Sequence, residues 1–378
     1  MSWRKKMLLV LLCGPLLLTG CPDKKTPPAS PPPPRVGVSL AGLNGDEDQV
    51  IKEMMERSKD QVKVELQFAD AGGDPAKQAR DVEQFLSEKA GAVVLEAVDP
   101  AAARGLVEKL CRNRVKVVAL NILPADTPVD AFVSYDRDGA RALLTGAAVH
   151  AGAGEAVVLT VAGRDQAGAW TGQGGAAGLR VTVREYAPGD VAAASAGRGG
   201  VVKAAEFPAA VLAGDPALAV AAAREAPAGG NRPSFIGGVG SSKEAFGYVN
   251  EGKLSGEVDT RPEEVAQLAL AAAVALAGKQ PAPRQLLVTN GSYSVPAQIA
   301  PVRLITRQNL YLLDKSWLSG QGGQTAQGEG RRESAGGPQG DGGSGQNTLR
   351  ITTDEGKTIE VHFNGRLKSI EHQEGGQG

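Results

Sequence analysis

Histidine and cysteine are scarce in this chain, with three of each among 378 residues. His150, His362 and His372 lie far from one another and from Cys111, so no metal-ligand spacing exists, and neither a metal nor any other cofactor is expected. Cys13 falls in an N-terminal leader and Cys21 has a use of its own, which leaves Cys111 without a disulfide partner. With Leu106, Val107 and Leu110 on its helical face, Cys111 reads as a buried, inert thiol. An excess of positive charge is also missing. The formal net charge is −1, and without the first twenty residues 38 bases stand against 42 acids. A nucleic-acid binder needs a basic patch or stripe, so that class is excluded. No phosphate-binding loop with a Lys-Ser/Thr pair occurs, and no serine nucleophile elbow. Gly172-Gln173-Gly174-Gly175 comes nearest to a dinucleotide loop, but Gly178 is out of place and no strand leads into the run, so these are expected to be loop glycines. An enzyme is not expected.

A long hydrophobic run is lacking as well. Met7 to Leu18 is apolar apart from breaks at Cys13, Gly14 and Pro15. It is too short for a transmembrane helix, which takes about 20 residues. Preceded by Arg4-Lys5-Lys6 and closed by Leu18-Thr19-Gly20-Cys21, it has the three parts of an export signal. The closing tetrad looks like a bacterial lipobox, which implies cleavage before Cys21 and acylation of its sulfur. Each buried acyl methylene contributes about 0.8 kcal/mol, so two or three chains hold a protein at a membrane. The expected location is the cell envelope, on the periplasmic side of a membrane. Pro22 to Pro34 then reads as an extended polyproline spacer.

From Arg35 onward short apolar runs alternate with helical patterns. Strands are expected at Val36–Leu40, Val62–Phe68, Ala92–Leu95 and Val115–Leu120, with helices over Val50–Lys59 and Ala76–Lys89 between them. The alternation restarts at Ala131–Ser134 with a helix over Gly139–His150. Strands follow at Ala156–Val161, Val181–Glu185, Ala210–Leu212, Ser234–Gly237 and Gly256–Asp259, separated by weak helices rich in glycine and alanine. A helix over Arg261–Ala277 and strands at Gln285–Thr289 and Pro301–Thr306 close the set. Such alternation with near-continuous apolar strands predicts an α/β fold, two doubly wound parallel-sheet (Rossmann-like) lobes. Asp74-Pro75, Asp99-Pro100 and Asp215-Pro216 each stand where a helix begins, Asp as the cap and Pro in the first turn. After Trp317 the composition turns to glycine, glutamine and serine, a flexible linker. Thr348–Gln373 then alternates again around Asn364-Gly365, a hairpin signal, and predicts a small β-meander, marginal by itself.

The body from Val36 to about Asp314 resembles the type I periplasmic binding proteins, nearest the ribose and related sugar binders. The segments that carry the resemblance are RVGVSLAGLN, GGDPAKQARDVEQFLSEKAGAVVLEAVDP, VKVVALN, YDRDGARALLTG, the stretch SFIGGVGSSKEAFGYVNEGKLSGEVDTRPEEVAQLALAAAVALAGK and PVRLITRQN, in the family's order. The resemblance implies two lobes joined by a three-strand hinge and closing on a ligand, with crossovers near 127–131, 257–260 and 286–294. The expected organisation is a leader at 1–20 and a spacer at 21–35. Lobe one follows at 36–127 with 260–285, lobe two at 128–259 with 286–316, a linker at 317–347 and the tail at 348–378.

Ligands of open parallel sheets sit beyond the carboxyl ends of the strands. The corners there carry Asn44, Glu47, Asp48, Glu96, Asp99 and Asn121 in the first lobe, Arg164, Asp165, Trp170 and Asp215 in the second, and Asp259 at a crossover, and all but Glu96 and Asp165 are nominated as ligand contacts. The family's sugar site is changed at several of these. Its two stacking aromatics correspond to Glu47 and Asp48, its Asp-Arg pair to Asn121-Ile122, its Asn-Asp pair to Gly214-Asp215 and its Gly-Phe-Asp to Gly238-Val239. A carboxylate cannot supply the apolar face that an aromatic ring gives a sugar. With aromatics at only 4% of the chain, the changes favour a cationic or polyhydroxylated ligand. The acids also suit helix N-termini, where they complement the macrodipole. The expected function is a membrane-anchored solute-binding lipoprotein presenting a small polar ligand, sugar-like or cationic, to an ABC importer or a sensor. The alternative is a degenerate copy that binds no solute and acts as a structural or interaction lipoprotein.

Overall fold

In the computed structural model, residues 32–163, 167–198, 200–202, 207–227, 229, 232–318, 347–352 and 358–363 are described. The chain forms two compact units, Met1–Gln324 and Thr325–Gly378. The first unit holds two sheets, each sandwiched between helices.

The first sheet contains β1 (Arg35–Leu40), β2 (Glu65–Asp70), β3 (Ala92–Leu95), β4 (Lys116–Leu120), β5 (Ala131–Tyr135), β11 (Leu286–Asn290) and β12 (Tyr293–Ala300) in the order β11-β12-β5-β4-β3-β1-β2. All pairs are parallel except β11 with β12. Successive strand residues point to opposite faces, and both faces here are apolar. Val36, Val38 and Leu40 pack with Ile51 and Met55 of α1 (Asp46–Val62) and with Val265, Ala269 and Leu270 of α9 (Pro262–Ala277). Val93, Leu95, Val117 and Ala119 meet Val82 and Phe85 of α2 (Pro75–Ser87) and Val107 and Leu110 of α3 (Pro100–Arg112). At Gly37 any Cβ would lie 2.6 Å from the Phe85 ring, so only glycine lets that ring lie flat on β1.

The second sheet contains β6 (Glu155–Val161), β7 (Arg180–Tyr186), β8 (Ala210–Ala213), β9 (Phe235–Val239), β10 (Gly256–Asp259) and β13 (Arg303–Ile305) in the order β13-β10-β9-β8-β6-β7, with only β13 antiparallel. One face meets α4 (Arg137–His150) and α5 (Ala167–Ala177) through Leu144 and Trp170. The other meets α7 (Pro216–Glu225) and α8 (Lys243–Asn250) through Leu218, Val220 and Val249, with α6 (Pro188–Ser195) adding Ala194. The glycines expected in a loop at 172–175 lie inside α5. Gly174 packs onto Val181 so closely that a Cβ would sit 2.3 Å from its methyl, which accounts for that glycine, while Gly172 and Gly175 have no such neighbour.

Val62, expected to open the second strand, ends α1 and is exposed. Asp74, Asp99 and Asp215 each accept the backbone N–H two residues on, with Pro next in line, as capping residues do. The chain crosses between lobes three times, at Asp136, at Thr260–Arg261 and at Pro301–Val302. The first and third crossings lie later than expected. The reason is that β5 and β12 pair with each other in the first sheet, in register from Phe132 opposite Ala297 to Tyr135 opposite Ala300. A short α10 (Lys315–Leu318) is the last described element of this unit, with Trp317 buried edge-on against Phe246 at a 5.6 Å centroid separation. No helix among the described residues is long and apolar enough to cross a membrane.

The second unit contains an antiparallel pair, β14 (Asn347–Thr352) with β15 (Thr358–Phe363), in which Leu349 faces Val361 and Ile351 faces Ile359. The expected turn at Asn364-Gly365 and third strand lie outside the described residues, as do the leader, Cys21 and the proline-rich spacer.

Candidate functional site

The carboxyl ends of both parallel sheets point into one cleft. Glu96 directly follows β3, Asn121 follows β4, and Tyr135 and Arg137 straddle the first crossing. From the other lobe come Val161 ending β6, Gly214 and Asp215 after β8, and Val239 ending β9 with Gly240 after it. Together with Glu47 they enclose a cavity of about 100 Å³. A wider groove of about 660 Å³ shares Glu47, Glu96 and Asp215 with it and extends past Asn44, Asp48 and Ser241. Gly240 has φ +136 and a Cβ there would lie 2.7 Å from Pro216, so glycine is needed for the β8 and β9 corners to close up.

The first-lobe wall is rich in acceptors. Glu96 is buried and takes hydrogen bonds from the Ala41 N–H (3.3 Å) and the Asn121 side-chain amide (3.0 Å). Asn121 sits at φ +57, a left-handed conformation that Asn tolerates better than most residues. Its Oδ1 is buried without a partner among the described residues. Its carbonyl accepts from Arg137 at 3.0 Å, and the Arg137 guanidinium lies 4.9 Å from the Tyr135 ring centre. A cation over an aromatic face is held by the ring quadrupole.

Glu47 reaches from the first turn of α1 to the other lobe. Its Oε1 accepts from the backbone N–H of Ser241 at 2.6 Å and from the Thr260 hydroxyl. Enclosure in the cleft pushes its carboxyl up to about 7, with Glu96 and Asp215 adding to the rise and the two hydrogen bonds opposing it. Next to it Asp46 accepts from the Lys243 N–H at 2.8 Å. Deeper in the second lobe Glu257 is fully buried, and neither carboxyl oxygen is satisfied by a well-formed hydrogen bond. Burial holds this carboxyl well above the ordinary range, offset only in part by the Gly238 backbone.

Of the residues nominated from sequence, the cleft gathers Glu47, Asn121 and Asp215 at the cavity and Asn44 and Asp48 along the groove. Others stand elsewhere. Asp99 is exposed, caps α3 and lines neither space. Trp170 is fully buried in the second-lobe core, because α5 turns it toward Leu144 and Leu179. Asp259 is buried at the second crossing, bound to Arg303 Nε at 2.8 Å, Ser241 Oγ at 2.7 Å and the Arg261 N–H at 2.9 Å. Arg164 lies outside the described residues. Cys111 is half-buried, its thiol pushed up by burial and 3.6 Å from the Pro128 carbonyl. Sequence reasoning missed Tyr135, Arg137, Ser241 and Thr260. The sign of the first two was present in Tyr135-Asp136-Arg137, a strand end followed at once by a helix cap, which puts the next residue on the rim. Among the described residues no group of three or more His, Cys, Asp or Glu is disposed to hold a metal.

Two helix-covered parallel sheets, crossed three times and facing each other at their strand tips, define a two-lobed clamp for small solutes. Residues 36–281 match the family model described as periplasmic binding protein domain, and the chain belongs to the type I periplasmic binding protein family. Its fold is similar to solved structures of solute-binding proteins. One is a carbohydrate transporter solute-binding protein from Chloroflexus aurantiacus in complex with D-glucose, 20% identical, with 75% of this chain and 96% of that one covered at a TM-score of 0.62. Another is an ABC transporter solute-binding protein from Mycobacterium smegmatis with bound glycerol, 19% identical, covering 74% and 96% at 0.62. A third is a Caulobacter myo-inositol binding protein, 19% identical, covering 74% and 96% at 0.59. The family consists of non-enzymatic, extracytoplasmic binding proteins.

Proposed function

We propose that this protein is a lipid-anchored periplasmic solute-binding protein that clamps a small polar ligand, sugar-like or cationic, and presents it to an ABC importer or a sensor. The observation that carries this reading is the cleft itself, lined from one lobe by Glu47, Glu96 and Asn121 and from the other by Asp215. Acceptors dominate that lining, and among the described residues Arg137 is its one cationic side chain. A ligand rich in donors, a polyol or an amine, matches it better than an anion does. The anchor is assigned to Cys21, and the proline-rich spacer gives the clamp its reach. Similar solute-binding proteins solved with D-glucose, glycerol and myo-inositol support the polyhydroxylated end of this range.

A thermal-shift screen of the chain against sugars, polyols, amino acids and amines tests the proposal. A true ligand at a hundred times its Kd adds about 2.7 kcal/mol of stability. A cationic ligand should bind less tightly in high salt and to Asp48→Asn, whereas a neutral polyol should be indifferent to salt. The second reading, a degenerate clamp serving as an interaction lipoprotein, is favoured by the small cavity and by Glu47 spanning the cleft. A screen without a single hit would select it.

A further inference from the structure

We infer that Glu47 is a latch that holds the two lobes shut on themselves, and that any solute entering the cleft has to displace it. Glu47 belongs to the first lobe, yet its Oε1 accepts from the Ser241 N–H (2.6 Å) on the far side and from the hydroxyl of Thr260 at the second crossing. Those two donors are themselves fixed. The Ser241 hydroxyl donates to Asp259 at 2.7 Å and accepts from the Thr260 N–H at 3.1 Å. Asp46 repeats the reach one residue earlier, accepting from the Lys243 N–H at 2.8 Å.

The acids at the start of α1 could complement their own helix without leaving it. α1 has Gly45 as its cap residue, and its first turn carries three acids, Asp46, Glu47 and Asp48. Two of them reach instead to the start of α8, which already has Ser242 as a capping side chain. Acceptors of one helix that bond at the start of a helix in the other lobe make a contact between lobes rather than a local one. Val50, one turn on in α1, extends the contact by packing against the second-lobe cluster of Phe246, Leu313 and Trp317. Glu47 also borders both the cavity and the groove, so the oxygen that ties the lobes stands where a solute would lie. Glu47 is thereby a specificity-determining residue, since a solute has to offer Ser241 and Thr260 an acceptor in its place, which a hydroxyl of a polyol does and a bare ammonium group does not.

The inference concerns the lobes without solute, so it stands or falls apart from the identity of any ligand. A fluorescent donor–acceptor pair, installed as noncanonical amino acids at the exposed positions Glu83 and Glu251, reports the lobe separation in the full chain. With no solute added, the wild type should show one short distance. Glu47→Ala should lower the closed-to-open ratio about tenfold or more, the weight of a hydrogen bond to a charged group. Thr260→Val should open the lobes part of the way, and Glu47→Gln, whose carbonyl still accepts from both donors, should stay closed. A wild type as open as Glu47→Ala, or a Glu47→Ala as closed as the wild type, overturns the inference. Should Glu47→Ala not fold, Thr260→Val decides: opening supports the latch and an unchanged distance refutes it.

Discussion

The two lobes share one architecture but treat their buried polar groups in opposite ways. In the first lobe Gln78, only 2% exposed, is fully engaged: its amide donates to Ser39 Oγ (3.1 Å) and the Glu96 carbonyl (2.8 Å), and its oxygen accepts from the Val98 N–H (3.0 Å). That network fixes the corner that carries Glu96. In the second lobe Glu257, equally buried, has no such network, and Gly238 beside it leaves just the room its carboxyl fills, since a Cβ there would lie 2.9 Å from both oxygens. The packing, by contrast, is alike. Large side chains fill both cores, Phe85, Met55 and Leu110 in the first and Trp170, Phe246 and Leu212 in the second. Each lobe also has an alanine-rich helix, α9 with Ala266, Ala269, Ala272 and Ala273 and α7 with Ala219, Ala221, Ala222 and Ala223. Local rules are broken most where a protein's function is concentrated, and here the break lies behind the second wall of the cleft.

The largest effect is expected from Trp170→Ala. If Trp170 fills the second core as Phe85 fills the first, each alanine variant should lose about 3–5 kcal/mol by denaturant unfolding. Equal losses would show that α5 anchors the second core through Trp170 as α2 anchors the first through Phe85. A Trp170→Ala protein of unchanged stability would return Trp170 to the candidate ligand residues and break the comparison.

Opposite signs are expected for the two buried polar groups. Gln78→Ala strands three hydrogen-bonding groups and should cost about 2–3 kcal/mol. Glu257→Met should instead stabilise at pH 8, by about 1 kcal/mol or more, because an apolar side chain of similar size replaces an unsatisfied acid. The pH dependence follows from the same groups. Glu47 and Glu257 both hold their protons more tightly folded than unfolded, so the native chain binds more protons between 4.5 and about 7. Their contribution to stability is therefore greatest below the unfolded value and falls as pH rises through that window. Melting temperatures should drop across it in the wild type and drop less in Glu257→Met and Glu47→Gln. A wild-type curve that rises over the same range would contradict both assignments.

How far these features were legible from the residues depends on whether their cause is local. β1, β3 and the helix starts at Asp74, Asp99 and Asp215 follow from apolar runs and from Asp-Pro capping, which act within a few residues. The first and third crossings were misplaced because β5 and β12 find each other across 160 residues or so, and no local pattern announces that pairing. Glu47 and Asp48 were nominated from their corner alone. That Glu47 reaches Ser241 and Thr260 depends on how the lobes close, which is a tertiary fact. Trp170 was misread for a related reason: in a glycine-rich segment the apolar stripe that would have marked it as core was too faint to see.

The smallest effects come from the caps, and they sharpen the comparison most. Asp99 and Asp215 are the same device, each accepting an N–H two residues on with Pro between, in the first and second lobe respectively. Alanine at either should cost about 1 kcal/mol of stability, the usual weight of an N-cap. Only Asp215 also faces the cavity, and it is close enough to Glu47 and Glu257 for its charge to raise both of their carboxyls. Asp215→Ala should therefore weaken binding of whatever solute the screen returns, and flatten the pH dependence of melting, whereas Asp99→Ala should change neither. Asp215→Asn separates the two roles further, because an asparagine caps almost as well but carries no charge. If it restores stability without restoring affinity, the carboxylate itself contacts the solute. If it restores both, Asp215 serves the cleft only by starting α7 in the right place.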